Sequence, residues 1–243
     1  MLQINSVNNG NCLDLMSDID DKSIDMILCD LPYGTTACKW DSVIPFEPLW
    51  AQYRRVCKPN AAIVLTAQAP FDKALGASNL PMLRYEWIWE KEAGTGFLNA
   101  KLAPLKSHEN VLVFYTKPPT YNPQMTVGKA YAGKFSRKNL GSDNYGDAPE
   151  IEPVARTYEG RYPKTVLKFP RDRNKIHPTQ KPVALFEYLI KTYTNEGELV
   201  LDNCAGSGTT AIACLKTNRK YILIEQETKY CDIANKRIVE FIP

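Results

Sequence analysis

Two short apolar runs stand out along the chain, residues 23–29 (SIDMILC), closed by Asp30, and residues 61–65 (AAIVL). Runs of this length without polar alternation predict strands buried on both faces of a sheet. Between them, Leu49, Trp50, Tyr53 and Val56 recur at helical spacing over 46–57, and Lys58-Pro59-Asn60 ends that helix. Further strands are predicted at 85–89 and 111–115. In the last third the pattern reads helix 182–193, strand 198–201, helix 209–216, strand 221–224 and helix 229–241. Strands alternating with helices predict an α/β chain, its sheet mostly parallel and covered by helices on both faces.

The middle of the chain breaks this pattern. Residues 117–175 contain 12 Lys and Arg against six Asp and Glu, a net of +6, which leaves −3 for the remainder although the whole chain carries only +3. The same stretch holds Tyr121, Tyr131, Tyr145, Tyr158 and Tyr162, glycines clustered at 128–133 and 141–146, and no long apolar run. It reads as an irregular, solvent-facing insert, either a solvated loop or a nucleic-acid contact surface. Lys134, Arg137, Lys138, Arg171 and Arg173 are its best phosphate-contact candidates, though each alone could be a solvated surface charge.

Composition removes several classes. With 243 residues, 44% of them hydrophobic, the chain can bury a full core. No segment approaches the roughly 18 apolar residues needed to span a bilayer, and the first residues lack the layout of a secretion signal, so a cytoplasmic protein without membrane association is expected. Seven cysteines, scattered and never spaced CxxC, predict reduced and buried thiols, and two histidines argue against a metal site.

Three segments carry candidate chemistry. Asp30-Leu31-Pro32-Tyr33-Gly34 follows a buried strand directly, at the end of a parallel strand where open α/β sheets bind ligands. The Asp30 carboxylate and the Leu31 carbonyl can accept from an NH₂ group, Tyr33 can stack on a planar ring, and Pro32 fixes the backbone that aims them. A plain turn with a capping Asp would look the same. Residues 199–210 run from a strand through a glycine-rich loop into a helix, a place where backbone N–H groups favour a nucleotide-type ligand. Ala211 excludes a GxGxxG fingerprint, and no phosphate loop is present. Glu225 ends the next strand, where an acidic side chain can bind the two hydroxyls of a ribose. His177-Pro178-Thr179-Gln180-Lys181-Pro182 is either a stiff donor of contacts to an anionic group or a linker into a helix.

Together these segments resemble the β group of DNA amino-methyltransferases, in which the catalytic motif precedes the cofactor motif. DLPYG resembles their DPPY motif, LDNCAGSGTT their cofactor loop and HPTQKP the segment ahead of it, and the similarity extends over 9–25 and 86–117. The resemblance implies a three-layer Rossmann-like methyltransferase fold made of 1–117 and 171–243, with 118–170 inserted as a target-recognition region. It implies S-adenosylmethionine as methyl donor and double-stranded DNA as partner, with direct displacement at an extruded base. An Asp at the start of the motif is more typical of adenine-N6 enzymes than of cytosine-N4 enzymes, so adenine is expected. Cytosine N4, an RNA base, a protein glutamine amide and a catalytically silent DNA-binding homologue are the alternatives. Members of the group often form homodimers, and a restriction endonuclease can accompany them.

By the same resemblance, Asp30 and the Leu31 carbonyl hold the amine, Pro32 stiffens them and Tyr33 stacks on the base. Asp202 holds the cofactor's ammonium, and Cys204, Ala205, Gly206, Ser207, Gly208 and Thr209 pass along its methionine part. Glu225, with Gln226 beside it, takes the ribose, Thr179 and Lys181 face the carboxylate, and Asn11 and Cys12 border the adenine. Asp30 counts on the cofactor side as well. Leu31 replaces the family's usual proline and Asn203-Cys204 its usual Pro-Phe. The chain has no Pro-Cys dipeptide, so ring-carbon methylation is excluded and Cys29 reads as core packing. His108 reads as a structural histidine, and Trp87 and Trp89 as one half-buried strand face.

Overall fold

Apolar runs, glycine turns and amphipathic helices produce the following order in the computed structural model: β1 (Ser6–Asn9), α1 (Cys12–Met16), β2 (Ile24–Asp30), α2 (Phe46–Val56), β3 (Cys57–Ala67), α3 (Phe71–Ser78), β4 (Leu83–Thr95), a 3-10 turn (Phe97–Asn99), β5 (Lys106–Phe114), β6 (Thr126–Arg137), β7 (Ile151–Arg161), β8 (Val166–Lys168), α4 (Val183–Tyr193), β9 (Leu199–Asp202), α5 (Thr209–Lys216), β10 (Lys220–Glu225) and α6 (Thr228–Phe241). The structure describes residues 2–242 except 37, 39, 138–150, 174, 175, 177 and 178, and describes only the backbone at 129–137 and 151–159. The chain divides into two compact units, Met1–Asn122 with Thr165–Pro243, and Pro123–Lys164.

The larger unit holds an eight-stranded sheet in the order β1-β10-β9-β2-β3-β5-β4-β8. From β1 to β3 every pairing is parallel, β5 runs antiparallel to both neighbours, and β8 is parallel to β4. Period-two alternation within the central strands separates two cores. Ile27 and Cys29 of β2, with Ile63 and Leu65 of β3, pack under α1, α2 and α3 through Met16, Leu49, Tyr53 and Leu75. Met26 and Leu28, with Ala62 and Val64, face the opposite way onto Leu185, Leu189, Ala213 and Ile238 of α4, α5 and α6. Each fully buried aliphatic side chain stabilises this sandwich by about 1.5–3 kcal/mol. Among the described residues no helix is long and apolar enough to cross a membrane.

The smaller unit corrects one expectation. The stretch read as irregular contains an antiparallel pair, β6 and β7, registered from Thr126 opposite Arg161 to Arg137 opposite Ile151. Its strands mix Gly, Tyr, Thr, Lys and Arg with scattered apolar residues, so they lack the alternating apolar signal. Val166–Lys168, inside the predicted 118–170 insert, belongs instead to the main sheet as the partner of β4, and the compact unit is the narrower Pro123–Lys164. The short β1, α1 and α3 were also absent from the hydrophobic pattern. All seven cysteines are free thiols, but Cys38 is exposed and Cys204 only half-buried, so uniform burial fails at these two positions.

Candidate active site

Parallel strands deliver their last residues to one edge of the sheet, and three acidic residues arrive there together. Asp30 ends β2, Asp202 ends β9 and Glu225 ends β10. Thr66 of β3 lies opposite Asp30 in register, and its hydroxyl donates a short hydrogen bond to Asp30 Oδ1. The turn through Pro32 brings Tyr33 back, so that its hydroxyl donates to the same oxygen at 2.7 Å. Lys181 Nζ donates to Asp30 Oδ2 at 2.6 Å. Burial, reinforced by the Asp30 charge, pushes the Tyr33 phenol well above its ordinary range, which keeps it a neutral donor. The Tyr33 ring stacks on Phe71 with centroids 5.1 Å apart and planes at 23°.

Lys181 continues a row of buried charges. Its Nζ is 3.3 Å from Glu109 Oε2, and Glu109 Oε1 is 2.7 Å from Lys91 Nζ. Burial opposes the charge on Lys181, but the Asp30 and Glu109 carboxylates outweigh it and hold the ammonium above its ordinary range. Burial likewise opposes the charge on Glu109, but Lys181 and Lys91 prevail and keep its carboxyl below the usual range. Beyond Tyr33 the chain turns at Gly34, with φ of +66°. Asp41 fixes that turn by accepting from the N–H groups of Gly34, Thr35 and Thr36 at 2.9, 2.9 and 2.7 Å.

The glycine loop is built around the other two acids. Asp202 accepts from the Cys204 N–H at 3.1 Å and from the Thr210 hydroxyl over a short contact, and burial pushes its carboxyl up to about 6. Among the described residues it has no ion-pair partner. Glu225 accepts from the Gly206 N–H at 2.7 Å and the Glu227 N–H at 2.8 Å, and burial raises its carboxyl too. Arg237 of α6 clasps the loop, donating to the Ser207 carbonyl at 3.1 Å and the Thr209 hydroxyl at 3.2 Å. Tyr53 donates to Asn203 Oδ1 at 2.6 Å, which satisfies the buried amide standing where Pro-Phe is usual.

A cavity of about 510 Å³ connects these groups. Its walls include Asn11, Cys12, Asp30, Leu31, Pro32, Tyr33, Thr179, Lys181, Asp202, Cys204, Ala205, Gly206, Ser207, Thr209, Glu225 and Gln226. Gly208 is the exception among the predicted cofactor residues. It lies behind the lining as the N-cap of α5, with φ of +75°, where a Cβ would meet the Ala234 Cβ at 3.0 Å. Lys181, expected to face a cofactor carboxylate, lines the cavity and is paired with Asp30 and Glu109.

Of the predicted phosphate contacts, Arg171 is part of the cavity wall with Nε 4.0 Å from Glu92, and Arg173 is exposed. Lys134 and Arg137 lie on β6, where only the backbone is described. Lys138, His177 and Pro178 fall outside the described residues. His108, read as a structural histidine, is exposed on β5 opposite Glu90 and is not part of the cavity wall. Cys29 is fully buried in the core, its thiol pushed up to about 12 by that burial. Trp87 and Trp89 are more than half-buried, both indoles being anchored, to the Tyr193 hydroxyl at 2.6 Å and the Phe169 carbonyl at 2.8 Å. Sequence reasoning missed Thr66, Lys91, Glu109, Gln180 and Asp41. A polar residue at the end of a buried run was the available signal for Thr66, whereas Lys91 and Glu109 lie just outside the predicted strands 85–89 and 111–115 and join strands only in the structure.

A family model for DNA methylases of the N6/N4 type matches residues 24–236. The chain is 28% identical over 258 residues to the Type II methyltransferase M1.MboII of Moraxella bovis, a match covering 97% of this chain and 96% of that protein. It is 28% identical over 250 residues to the DNA adenine methyltransferase YhdJ of Escherichia coli (strain K12), covering 95% and 81%. Among solved structures, the M1.HpyAVI–SAM complex superposes with a TM-score of 0.65 at 23% identity, covering 96% of this chain and 98% of that one. The PvuII DNA methyltransferase, described as cytosine-N4-specific, superposes with a TM-score of 0.67 at 14% identity, covering 99% and 92%. At these identities the structural likeness establishes the fold, a Rossmann-like methyltransferase fold.

Proposed function

The chain belongs to the N6/N4 DNA methylase family and is a DNA methyltransferase, and from that premise we propose that it methylates the N6 amine of adenine in duplex DNA, with Asp30 and the Leu31 carbonyl holding the amine. S-adenosylmethionine is the methyl donor, supplying an electrophilic methyl group on a sulfonium sulfur. The cavity's donor set suits that molecule. Asp202, a buried carboxylate raised to about 6, suits an ammonium group. Glu225 keeps acceptor capacity for two hydroxyls, and the backbone at Gly206 adopts φ of +52° to border a ligand.

The observation that carries the reading is the state of Asp30. An ionised carboxylate offers about four lone-pair sites. Oδ1 accepts from Thr66 and Tyr33 and Oδ2 from Lys181, which leaves one site on Oδ2 for an incoming N–H. An exocyclic amine is a weak nucleophile because its lone pair is delocalised into the ring. Acceptance by Asp30 and Leu31 pulls the nitrogen toward tetrahedral geometry and stabilises the positive charge that grows on it. Tyr33, backed by Phe71, supplies a rigid aromatic wall that replaces part of the stacking lost when the base leaves the duplex, a cost of about a few kcal/mol. The preference for adenine rests on Asp as the first residue of the motif. The basic β6–β7 unit is the target-recognition region, with Lys134, Arg137 and Lys138 as its phosphate contacts and Arg173 of the larger unit as a further one.

The test is transfer of tritiated methyl to duplex DNA followed by nucleoside chromatography. N6-methyladenine is the expected product, and N4-methylcytosine would overturn the choice of base. Asp30→Ala is expected to bind DNA normally and transfer nothing, and undiminished methylation would overturn the role given to Asp30.

A further inference from the structure

We propose that Glu109 is a positioning residue for methyl transfer: through Lys181 it sets the placement of Asp30 and the electrostatic field around it, and Lys91 is its counter-ion. The inference rests on the reading of Asp30 given above. Four groups from four separate segments make one row: Lys91 of β4, Glu109 of β5, Lys181 ahead of α4 and Asp30 of β2, joined at 2.7, 3.3 and 2.6 Å. Side-chain exposure is 5% at both lysines, 11% at Glu109 and 21% at Asp30, so water screens the Lys91–Glu109–Lys181 pairs weakly and the Asp30 end somewhat more. Glu109 Oε2 is itself buried without a directed hydrogen bond, so the ion pair with Lys181 is its interaction with the site.

The order of charges matters to the reaction. A lysine in contact with Asp30 orients that carboxylate, but its positive field opposes the positive charge developing on the amine. Glu109, which pairs with Lys181 and not with Asp30, offsets that field. Lys91 then balances Glu109, and the row sums to zero. Loss of the Glu109 charge leaves a net +1 beside the reacting amine, whereas loss of the Glu109 and Lys91 charges together returns the row to zero.

This makes a prediction that a purely structural role does not share. Single-turnover methyl transfer and equilibrium binding of cofactor and duplex DNA are measured on the full chain. Glu109→Gln is expected to slow transfer by about tenfold or more, the scale of one poorly screened charge within several ångströms, with both dissociation constants within about threefold of the parent. Lys91→Met combined with Glu109→Gln is expected to recover the rate to within about threefold of the parent, since neighbouring charges couple non-additively. Glu109→Asp keeps the charge and is expected to stay within about threefold as well. A Glu109→Gln rate within about twofold of the parent, a double variant no faster than Glu109→Gln, or a Glu109→Asp loss equal to that of Glu109→Gln would each overturn the inference. Asp30→Ala, run alongside, separates the two levels. Transfer lost there but intact in Glu109→Gln defeats this inference alone, and transfer retained there defeats the reading beneath it.

Discussion

Cofactor capture should switch off as Asp202 takes up a proton. The carboxyl ends β9 with the Cys204 amide and the Thr210 hydroxyl as donors and no cation at hand, and burial pushes it up to about 6. An ammonium group docking against it requires the ionised form. Above about 6 that form is already present. Below it, binding must displace a proton, and affinity falls by about tenfold, or 1.4 kcal/mol, for each further pH unit. Calorimetric titration of S-adenosylmethionine across this range is expected to show a break near 6, with proton release appearing below it. Asp202→Asn isolates the assignment. It should remove the break and weaken binding above it by about tenfold or more, the scale of a hydrogen bond to a charged group. The same substitution should raise the melting temperature of the cofactor-free protein at neutral pH. A raised carboxyl costs nothing below the unfolded value of 3.8 and carries its full penalty above about 6. Affinity that does not change with pH, or an Asp202→Asn variant that keeps the break, would refute the reasoning.

Two further outcomes test other parts of the site. Thr66→Val removes the hydroxyl that donates to Asp30 Oδ1, and with about 1.5–3 kcal/mol at stake in a hydrogen bond to a charge the single-turnover rate should fall at least tenfold while cofactor affinity holds. An equal loss of affinity would show that Thr66 supports the crevice rather than the carboxylate. Gly208→Ala places a Cβ 3.0 Å from Ala234 at a φ of +75°, and the left-handed conformation alone costs about 1–2 kcal/mol. A lower denaturation midpoint is expected, and an unchanged one would mean that α5 and α6 can part there freely.

The sheet's core was legible because β2, β3 and β9 are short, densely apolar runs, and the turns that follow them are marked by Pro32, Gly206 and Gly208. Thr66 and Glu109 were not legible. Each becomes part of the site only through pairing between strands, Thr66 by register with Asp30 and Glu109 by reaching Lys181 from β5. No spacing within one segment records such a meeting. The β6–β7 pair was missed for a different reason. Residues 126–137 and 151–161 mix apolar, polar and charged types without strict alternation, so the period that betrays a half-buried strand never appears.

Parallel pairing of β2 with β9 also dictates when the site can exist during synthesis. One flank of β2 is closed early by β3, its neighbour in chain order. The other flank, an edge bearing Met26, Ile27 and Leu28, waits for a strand that begins only at Leu199, long after β2 ends at Asp30. Until then the nascent chain presents an open, greasy edge of the kind that pairs with strangers. Long-range closure of this sort is intrinsically slow, so productive yield should depend on holdase chaperones and on ribosome pacing far more than the stability of the finished molecule would suggest.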